Sequence, residues 1–179
     1  STTSKWNGRI WTSDKIASGW STPVMIDIPI ATDKGFWFPS YASSGKLYFG
    51  SFADTLGNQG KSDIYVFDEK TGEVSNLETT INTEHEEWDP FISKDESYML
   101  FASDRPGGFG KVDTYISFKT QSGWSAPINL GESINSEEVD VAAKVTPDER
   151  FIFFDRPKDG EQDIYWVSAK IIEALENEF

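Results

Sequence analysis

Residues 81–115, INTEHEEWDPFISKDESYMLFASDRPGGFGKVDTY, decide the fold, because the chain contains this stretch more than once. Shifted by 53 positions, residues 81–84 (INTE) align with residues 134–137 (INSE). The triplet Asp-x-Tyr recurs at intervals of 50 residues, beginning at Asp63, Asp113 and Asp163. A period near 50 residues indicates stacked supersecondary units of one kind. The repeat therefore predicts the architecture before any single residue is interpreted.

Each repeat predicts four short strands. The second strand is a continuous apolar run, such as residues 98–101 (YMLF) or 151–154 (FIFF), which is typical of a strand covered on both faces. The third strand follows the Asp-x-Tyr triplet, and the fourth ends at Leu77 or Leu130. Four antiparallel strands per repeat describe an all-β chain built from β-propeller blades. A sandwich of unrelated hairpins, the alternative, would not repeat a triplet at fixed spacing.

The two ends of the chain predict incomplete blades. Residues 19–23 (GWSTP) match residues 123–127 (GWSAP), so strands near 9–15 and 20–28 would be the last two of a preceding blade. The final repeat lacks a fourth strand and continues into SAKIIEALENEF, whose apolar spacing predicts a short C-terminal helix. The predicted units are 1–35, 36–80, 81–131, 132–168 and 169–179.

The number of predicted blades indicates that further blades are needed to close a ring. A closed ring needs at least about four blades. We therefore expect the C-terminal part of a ring of about six blades. The remaining blades in the same polypeptide, or a second copy of the chain, would complete that ring.

Composition excludes several classes of partner. Lys and Arg number 16 against 30 Asp and Glu, giving a formal charge of −14. Nucleic acids and anionic membranes both need clustered positive charge, so neither is expected as a partner. The chain contains no apolar run long enough to cross a bilayer, so direct membrane insertion is not expected either. The absence of Cys excludes disulfides and thiolate metal sites.

The repeat motifs resemble a known family. The last copy reads TPDE at residues 146–149, DRP at 155–157 and DIY at 163–165, and the central copy reads SKDE at 93–96 and SDRPGG at 103–108. This pattern resembles the WD40-like propeller repeats (PD40 repeats) of TolB-type periplasmic proteins, especially envelope-associated members common in Bacteroidetes-type bacteria. The resemblance implies a periplasmic, outer-envelope or extracellular location and a role in protein–protein interaction. Glu96 and Glu149 depart from the pattern, which has Gly in the turn.

Candidate site residues lie on loops that share one face of a propeller. These loops join the fourth strand to the next blade and the second strand to the third, and function often resides on such loops. The candidates for contact with a protein or glycan partner are Glu84, His85, Glu86, Glu87, Trp88, Arg105, Glu137, Glu138, Asp140 and Arg156.

Structural roles for several candidates remain open. Arg105 and Arg156 could instead form ion pairs or cap carbonyls between blades. Trp88 could serve packing, since Trp37 repeats it, and His85 has no second His for a metal site. Clustered carboxylates could bind Ca²⁺. No segment has the spacing of a helix–loop–helix calcium site, however, and no other cofactor is expected.

Two functions follow from these observations. The first, which the family resemblance implies, is a non-catalytic binding or scaffold propeller of the bacterial cell envelope that mediates protein–protein or glycan interaction. The second is a glycan-active propeller hydrolase that uses funnel carboxylates as acid and base. Glu87 and Asp140 begin equivalent inner strands, but the first copy has Phe36 at that position. The chain has neither a Gly-x-Ser-x-Gly elbow nor a second His, so the sequence favours binding.

Overall fold

The computed structural model describes residues 8–30, 34–53, 56–59 and 61–178. It confirms an all-β chain of antiparallel sheets with a short C-terminal helix. Parts of three predicted units lie outside the described residues: residues 1–7 and 31–33 of the unit 1–35, residues 54–55 and 60 of the unit 36–80, and residue 179 of the unit 169–179. None of the described helices is long and apolar enough to cross a membrane.

The N-terminal region forms a partial blade of two small sheets. Its strands have two residues each: β1 (Trp11–Thr12), β2 (Lys15–Ile16), β3 (Gly19–Trp20) and β4 (Val24–Met25). β1 pairs with β4, and β2 pairs with β3. The two strands predicted near 9–15 and 20–28 are thus present but short, with a hairpin between them. The Ser13 hydroxyl donates to the Ser21 carbonyl at 2.7 Å, just as the Ser117 hydroxyl donates to the Ser125 carbonyl at 2.7 Å.

Three blades follow the partial blade. Blade 1 is the sheet β5 (Trp37–Tyr41), β6 (Lys46–Ser51), β7 (Asp63–Asp68) and β8 (Glu73–Asn76), and the short helix α1 (Glu78–Ile81) leads out of it. Blade 2 is β9 (Glu87–Ile92), β10 (Tyr98–Ser103), β11 (Asp113–Thr120), β12 (Gly123–Trp124) and β13 (Ile128–Asn129). Blade 3 is β14 (Val141–Val145), β15 (Phe151–Lys158) and β16 (Glu161–Ser168), followed by helix α2 (Lys170–Glu178).

The outer strand of blade 2 differs from the single strand that the sequence predicts. It is divided into β12 and β13, both paired with β11. Pro127 lies between the two pieces and has no N–H to donate to the ladder, which accounts for the break.

The apolar core lies between the faces of neighbouring blades. Tyr48 and Ile64 of blade 1 pack in one cluster with Phe101 of blade 2. One step along, Leu100 and Ile116 of blade 2 pack with Phe154 of blade 3. β6 and β10 are therefore covered on both sides, as their apolar runs predict. The same prediction is wrong for β15, where Phe153 is 41% exposed because no further blade among the described residues packs on that face. The side chains of Ala169 and Ile172, at the start of α2, extend the second cluster.

The innermost strand of every blade carries a β-bulge that the sequence did not reveal. The pairing register shifts within β5, β9 and β14. In each case one residue has a positive φ: 51° at Phe38, 53° at Asp89 and 57° at Ala142. A bulge turns a side chain away from its normal direction in the strand. At Asp89 it places a carboxylate in the interior.

Tight turns join the first two strands of each blade. The third turn residue has a positive φ in all three blades: 93° at Gly45, 62° at Glu96 and 57° at Glu149. Glu96 and Glu149 thus hold the backbone conformation for which the repeat pattern uses Gly. We call the side of the molecule with these turns the turn face, and the opposite side the loop face.

Candidate functional site

The loop face brings together the two sets of loops predicted to carry the site. The Glu87 N–H donates to the Ser62 carbonyl at 2.8 Å, and the Asp140 N–H donates to the Val112 carbonyl at 2.9 Å. The same backbone hydrogen bond therefore joins each blade to the next. Gly110 lies so close to the following blade that an added Cβ would sit 2.1 Å from the Ser136 carbonyl oxygen. The close approach of the loops requires a residue without a side chain there.

Glu87 is buried and fully engaged. Its carboxylate accepts hydrogen bonds from the Thr83 N–H at 2.8 Å and the Thr83 hydroxyl at 2.7 Å. The Ser103 hydroxyl and the Arg105 guanidinium each donate to it at 3.0 Å. Burial raises the pKa of Glu87, although the contacts from Thr83, Arg105 and Ser103 all favour the charged form.

Asp140 repeats this arrangement one blade further. Its carboxylate accepts from the Ser136 N–H at 2.6 Å, the Ser136 hydroxyl at 2.7 Å and Arg156 Nε at 2.6 Å. Both arginines also cap a carbonyl at the end of the preceding linker: Arg105 binds the Ile81 oxygen at 2.8 Å, and Arg156 binds the Ile134 oxygen at 2.6 Å. These four candidate residues therefore use their charged atoms inside the molecule.

Both arginines also stack against aromatic rings. Arg105 lies 5.1 Å from the ring centroids of Phe101 and Tyr115. Arg156 lies 5.4 Å from those of Phe154 and Tyr165. A guanidinium that is stacked and paired in this way has little freedom to reach a ligand.

The other candidates lie nearer the surface. Glu84, Glu137 and Glu138 are exposed. Glu138 forms a surface ion pair with Lys111, whereas Glu84 and Glu137 form none with the described residues. His85 is half-buried, with Nδ1 3.7 Å from Asp104 Oδ1. The Glu86 N–H donates to the same carboxylate at 2.7 Å.

Asp104 connects blade 1 to these loops. Its carboxylate accepts from Lys61 Nζ, on the preceding blade, at 3.2 Å. Burial alone would raise the pKa of Asp104. The hydrogen bond from Glu86 and the charges of Lys61 and His85 outweigh that effect and hold the pKa below its ordinary value. Asp104 thus fixes the loop that presents Glu84 and Glu86.

Trp88 lines an aromatic pocket that the sequence did not predict. The pocket has a volume of about 310 Å³. Among the described residues, its lining consists of Lys34, Trp37, Phe38, Phe52, Ser62 and Trp88. The Trp37 and Phe52 rings lie 4.8 Å apart. The Ser62 hydroxyl is buried and has no hydrogen-bond partner among the described residues.

A separate cleft of about 800 Å³ lies between the outer strands of blades 1 and 2 and is lined in part by Tyr48, Lys119 and Trp124. The aromatic pocket, at about 310 Å³, lies at the lower end of the range for small-molecule pockets. It borders the loop face, because the carbonyl of its Ser62 accepts the Glu87 N–H. The recurrence of Trp at positions 37 and 88 was the signal that could have indicated it.

A second feature missed by the sequence lies at the bulge of β9. Asp89 is 3% exposed, and its Oδ2 accepts from the Ala142 N–H at 3.0 Å. Its Oδ1 has no hydrogen-bond partner among the described residues. Burial raises the pKa of Asp89 to about 6, against the opposing charge of Lys144. Lys144 itself donates to the Pro90 carbonyl at 2.9 Å.

Metal binding finds no support in this arrangement. Within the described ranges, no group of three or more His, Asp or Glu side chains comes together in a way that could hold a metal ion.

Comparison with known proteins identifies the fold. No family model matches the chain, and no curated protein matches it. TolB from Acinetobacter baumannii matches with a TM-score of 0.58 and 19% identity, over 82% of this chain and 32% of that structure. A putative TolB from Agrobacterium tumefaciens matches with a TM-score of 0.55 and 16% identity, over 88% of this chain and 56% of that structure.

The chain therefore has the fold of part of a TolB-type β-propeller. It spans about a third of one matching structure and just over half of the other. The narrower resemblance to PD40 repeats and to Bacteroidetes-type envelope members stays a prediction, as does the envelope location.

Proposed function

We propose that the chain is a non-catalytic binding propeller of the bacterial cell envelope, and that its loop face contacts a protein or glycan partner. The observation that carries this proposal is that the acidic residues of the loops are of two kinds, buried and exposed. Glu87 and Asp140 are held by internal donors, whereas Glu84 and Glu137 are exposed to solvent. The TolB-type fold and the repeat motifs support the envelope location.

The hydrolase alternative would use the same inner carboxylates. A glycosidase needs an acid and a base or nucleophile that both face the substrate. Glu87 and Asp140 instead accept hydrogen bonds in the same repeated pattern and each pair with an Arg. Phe36, at the equivalent position of the first copy, is buried. A role repeated in consecutive blades favours a structural function over catalysis.

The loop face offers two kinds of contact to a partner. The aromatic pocket can receive an apolar side chain or a sugar ring, and such buried anchors dominate the free energy of many interfaces. The exposed carboxylates of the loops can attract basic or hydroxyl groups of the partner and increase the association rate. A chain with a formal charge of −14 would favour a basic partner surface.

A charge-reversal experiment tests this proposal. The variant Glu84→Lys with Glu137→Lys changes the loop face, and Glu173→Lys with Glu176→Lys makes the same charge change on exposed positions of α2. Solubilised envelope proteins and isolated peptidoglycan are the two probes, each measured by co-sedimentation. We expect the loop-face variant to bind about tenfold more weakly, which corresponds to about 1.4 kcal/mol, and the α2 variant to bind like the unchanged chain.

Two outcomes would contradict the proposal. Equal binding by both variants would show that the loop face is not the contact surface. Release of new reducing ends from peptidoglycan by the unchanged chain would show catalysis, and would support the hydrolase alternative.

A further inference from the structure

Two clefts lie where neighbouring blades meet, and their linings differ in charge. The cleft of about 800 Å³ between blades 1 and 2 has Lys46 on one side and Lys119 on the other, and we call it the lysine cleft. Its described lining comes only from blades 1 and 2 and the segment that joins them. The cleft of about 180 Å³ between blade 2, blade 3 and α2 has no Lys or Arg in its described lining, but four carboxylates: Asp95, Glu149, Glu173 and Glu176.

The pair of lysines is particular to the first junction and is not a feature of the repeat. Aligned through the second strands, residues 46–49 (KLYF) match residues 98–101 (YMLF), so Lys46 corresponds to Tyr98. Two ammonium groups in one cleft are also unusual for a chain with a formal charge of −14. At the position of Lys119, the third strands of the partial blade, blade 1 and blade 3 carry Lys15, Glu69 and Ala169.

Lys46 is held at the rim of the lysine cleft by blade 2. Its Nζ donates to Glu96 Oε1 at 3.2 Å, and the hydroxyl of the buried Tyr48 donates to the same oxygen at 2.7 Å. The Lys46 side chain nevertheless remains 37% exposed. Because an ammonium group has three N–H donors, the contact with Glu96 leaves donors that a ligand can use.

Lys119 has no counter-charge of its own. It forms no ion pair with a carboxylate of the described residues, and its Nζ lies 4.6 Å from the ring centroid of Trp124. Partial burial and the charge of Lys46 lower the pKa of Lys119, and the charge of Glu96 opposes them. Lys46, Lys119 and Glu96 together leave one positive charge. A single negative charge on a ligand would therefore complete this end of the cleft.

The rest of the lysine cleft is suited to hydroxyl groups. Carboxylate and hydroxyl oxygens accept hydrogen bonds from neutral hydroxyls, and the same carboxylates disfavour a ligand with several negative charges. Tyr48 and Trp124 meet edge to face, with ring centroids 6.5 Å apart, and form a rigid wall. The polar lining beyond the two lysines includes Asp68, Thr71, Glu73, Ser75, Glu78 and Thr80.

We propose that the lysine cleft binds an acidic sugar, with its carboxylate at Lys46 and Lys119 and its hydroxyls along the outer strand β8. An acidic sugar combines one negative charge with several hydroxyls, as the lining requires. The volume of the cleft lies within the range of small-molecule sites. Lys46 directly follows the Gly45 turn, so the anion-binding end adjoins the turn face and is separate from the partner surface proposed on the loop face.

A titration of the full chain with simple sugars tests this site. The probes are the methyl glycosides of galacturonic acid, glucuronic acid and N-acetylneuraminic acid, with neutral methyl galactoside as the control. Binding is followed through the NMR signal of the Trp124 indole N–H, which reports on the cleft itself. We expect saturable binding of at least one acidic sugar, and about tenfold weaker binding of methyl galactoside, because a charge-assisted hydrogen bond is lost.

A matched pair of variants separates direct contact from overall charge. Lys119→Gln should weaken binding of the acidic sugar about tenfold, whereas Lys158→Gln, which makes the same charge change at an exposed position of blade 3, should leave it unchanged. Lys119 is itself exposed, so its replacement leaves the core intact.

Four outcomes would overturn the proposal. They are the absence of saturable binding by all three acidic sugars, equal binding of methyl galactoside, and equal effects of the two variants. The fourth is binding of acetylalanine as tight as that of the acidic sugars, which would assign the cleft to the carboxylate of a peptide.

Discussion

Blades 2 and 3 share an internal design but differ in how their third strands are buried. Both stack an Arg on a Phe–Tyr pair, and both hold a buried carboxylate with a Thr or Ser four residues earlier. Yet β11 is buried for most of its length, whereas β16 is exposed at most positions. The difference shows that the burial of a propeller strand is a property of the neighbouring blade and outer strand, because its own pairing partner covers only one edge.

The largest expected effect comes from truncating equivalent residues in the two blades. Leu100 is fully buried between blades 2 and 3, and Phe153 is its exposed equivalent. Leu100→Ala should lower the free energy of unfolding by about 3–5 kcal/mol, because it leaves a cavity in a packed core. Phe153→Ala should lower it by about 1 kcal/mol or less. Urea denaturation of both variants measures the difference, and equal losses would contradict the comparison.

An intermediate effect is expected at the bulge, where blade 2 has Asp89 and blade 3 has Ala142. The pKa of Asp89 is about 6 in the folded protein, above its ordinary value of 3.8. The folded state therefore binds this proton more tightly than the unfolded chain, so stability falls as the pH rises from about 4 to about 6. Asp89→Asn should remove this loss, which is at most about 3 kcal/mol.

Unfolding free energies of the two proteins across this pH range provide the measurement. The difference between Asp89→Asn and the unchanged chain should grow between about pH 4 and pH 6 and then stay constant. A difference that is independent of pH would show that Asp89 titrates normally.

The smallest expected effect concerns the tight turns. Glu149 and Glu96 both have a positive φ, so replacement by Gly relieves backbone strain of about 1 kcal/mol. Glu149→Gly should therefore raise the free energy of unfolding by about 0.5 kcal/mol. Glu96→Gly should not, because Glu96 accepts hydrogen bonds from Tyr48 at 2.7 Å and Lys46 at 3.2 Å. Thermal unfolding compares the two variants, and a gain for Glu96→Gly would contradict this account.

Much of the fold could be predicted because each element of the repeat has a recognisable pattern within a short stretch of sequence. The apolar second strands, the Asp-x-Tyr triplets and the helical spacing near Ile172 each indicate an element that the structure contains. The candidate site was predictable only in its location. The engagement of Glu87 by Arg105 depends on loops that are 18 residues apart in sequence, and the aromatic pocket joins residues from two blades.

The sequence by itself determined the propeller repeat, the loops that share a face and the acidic character of the chain. It could do so because strand periodicity and turn residues act over a few neighbouring positions. Only the tertiary structure decided which carboxylates are paired, where the bulges place Asp89, and which third strand has an open edge. Those features depend on contacts between blades, since burial and charge pairing are set by distance in space and not by distance along the chain.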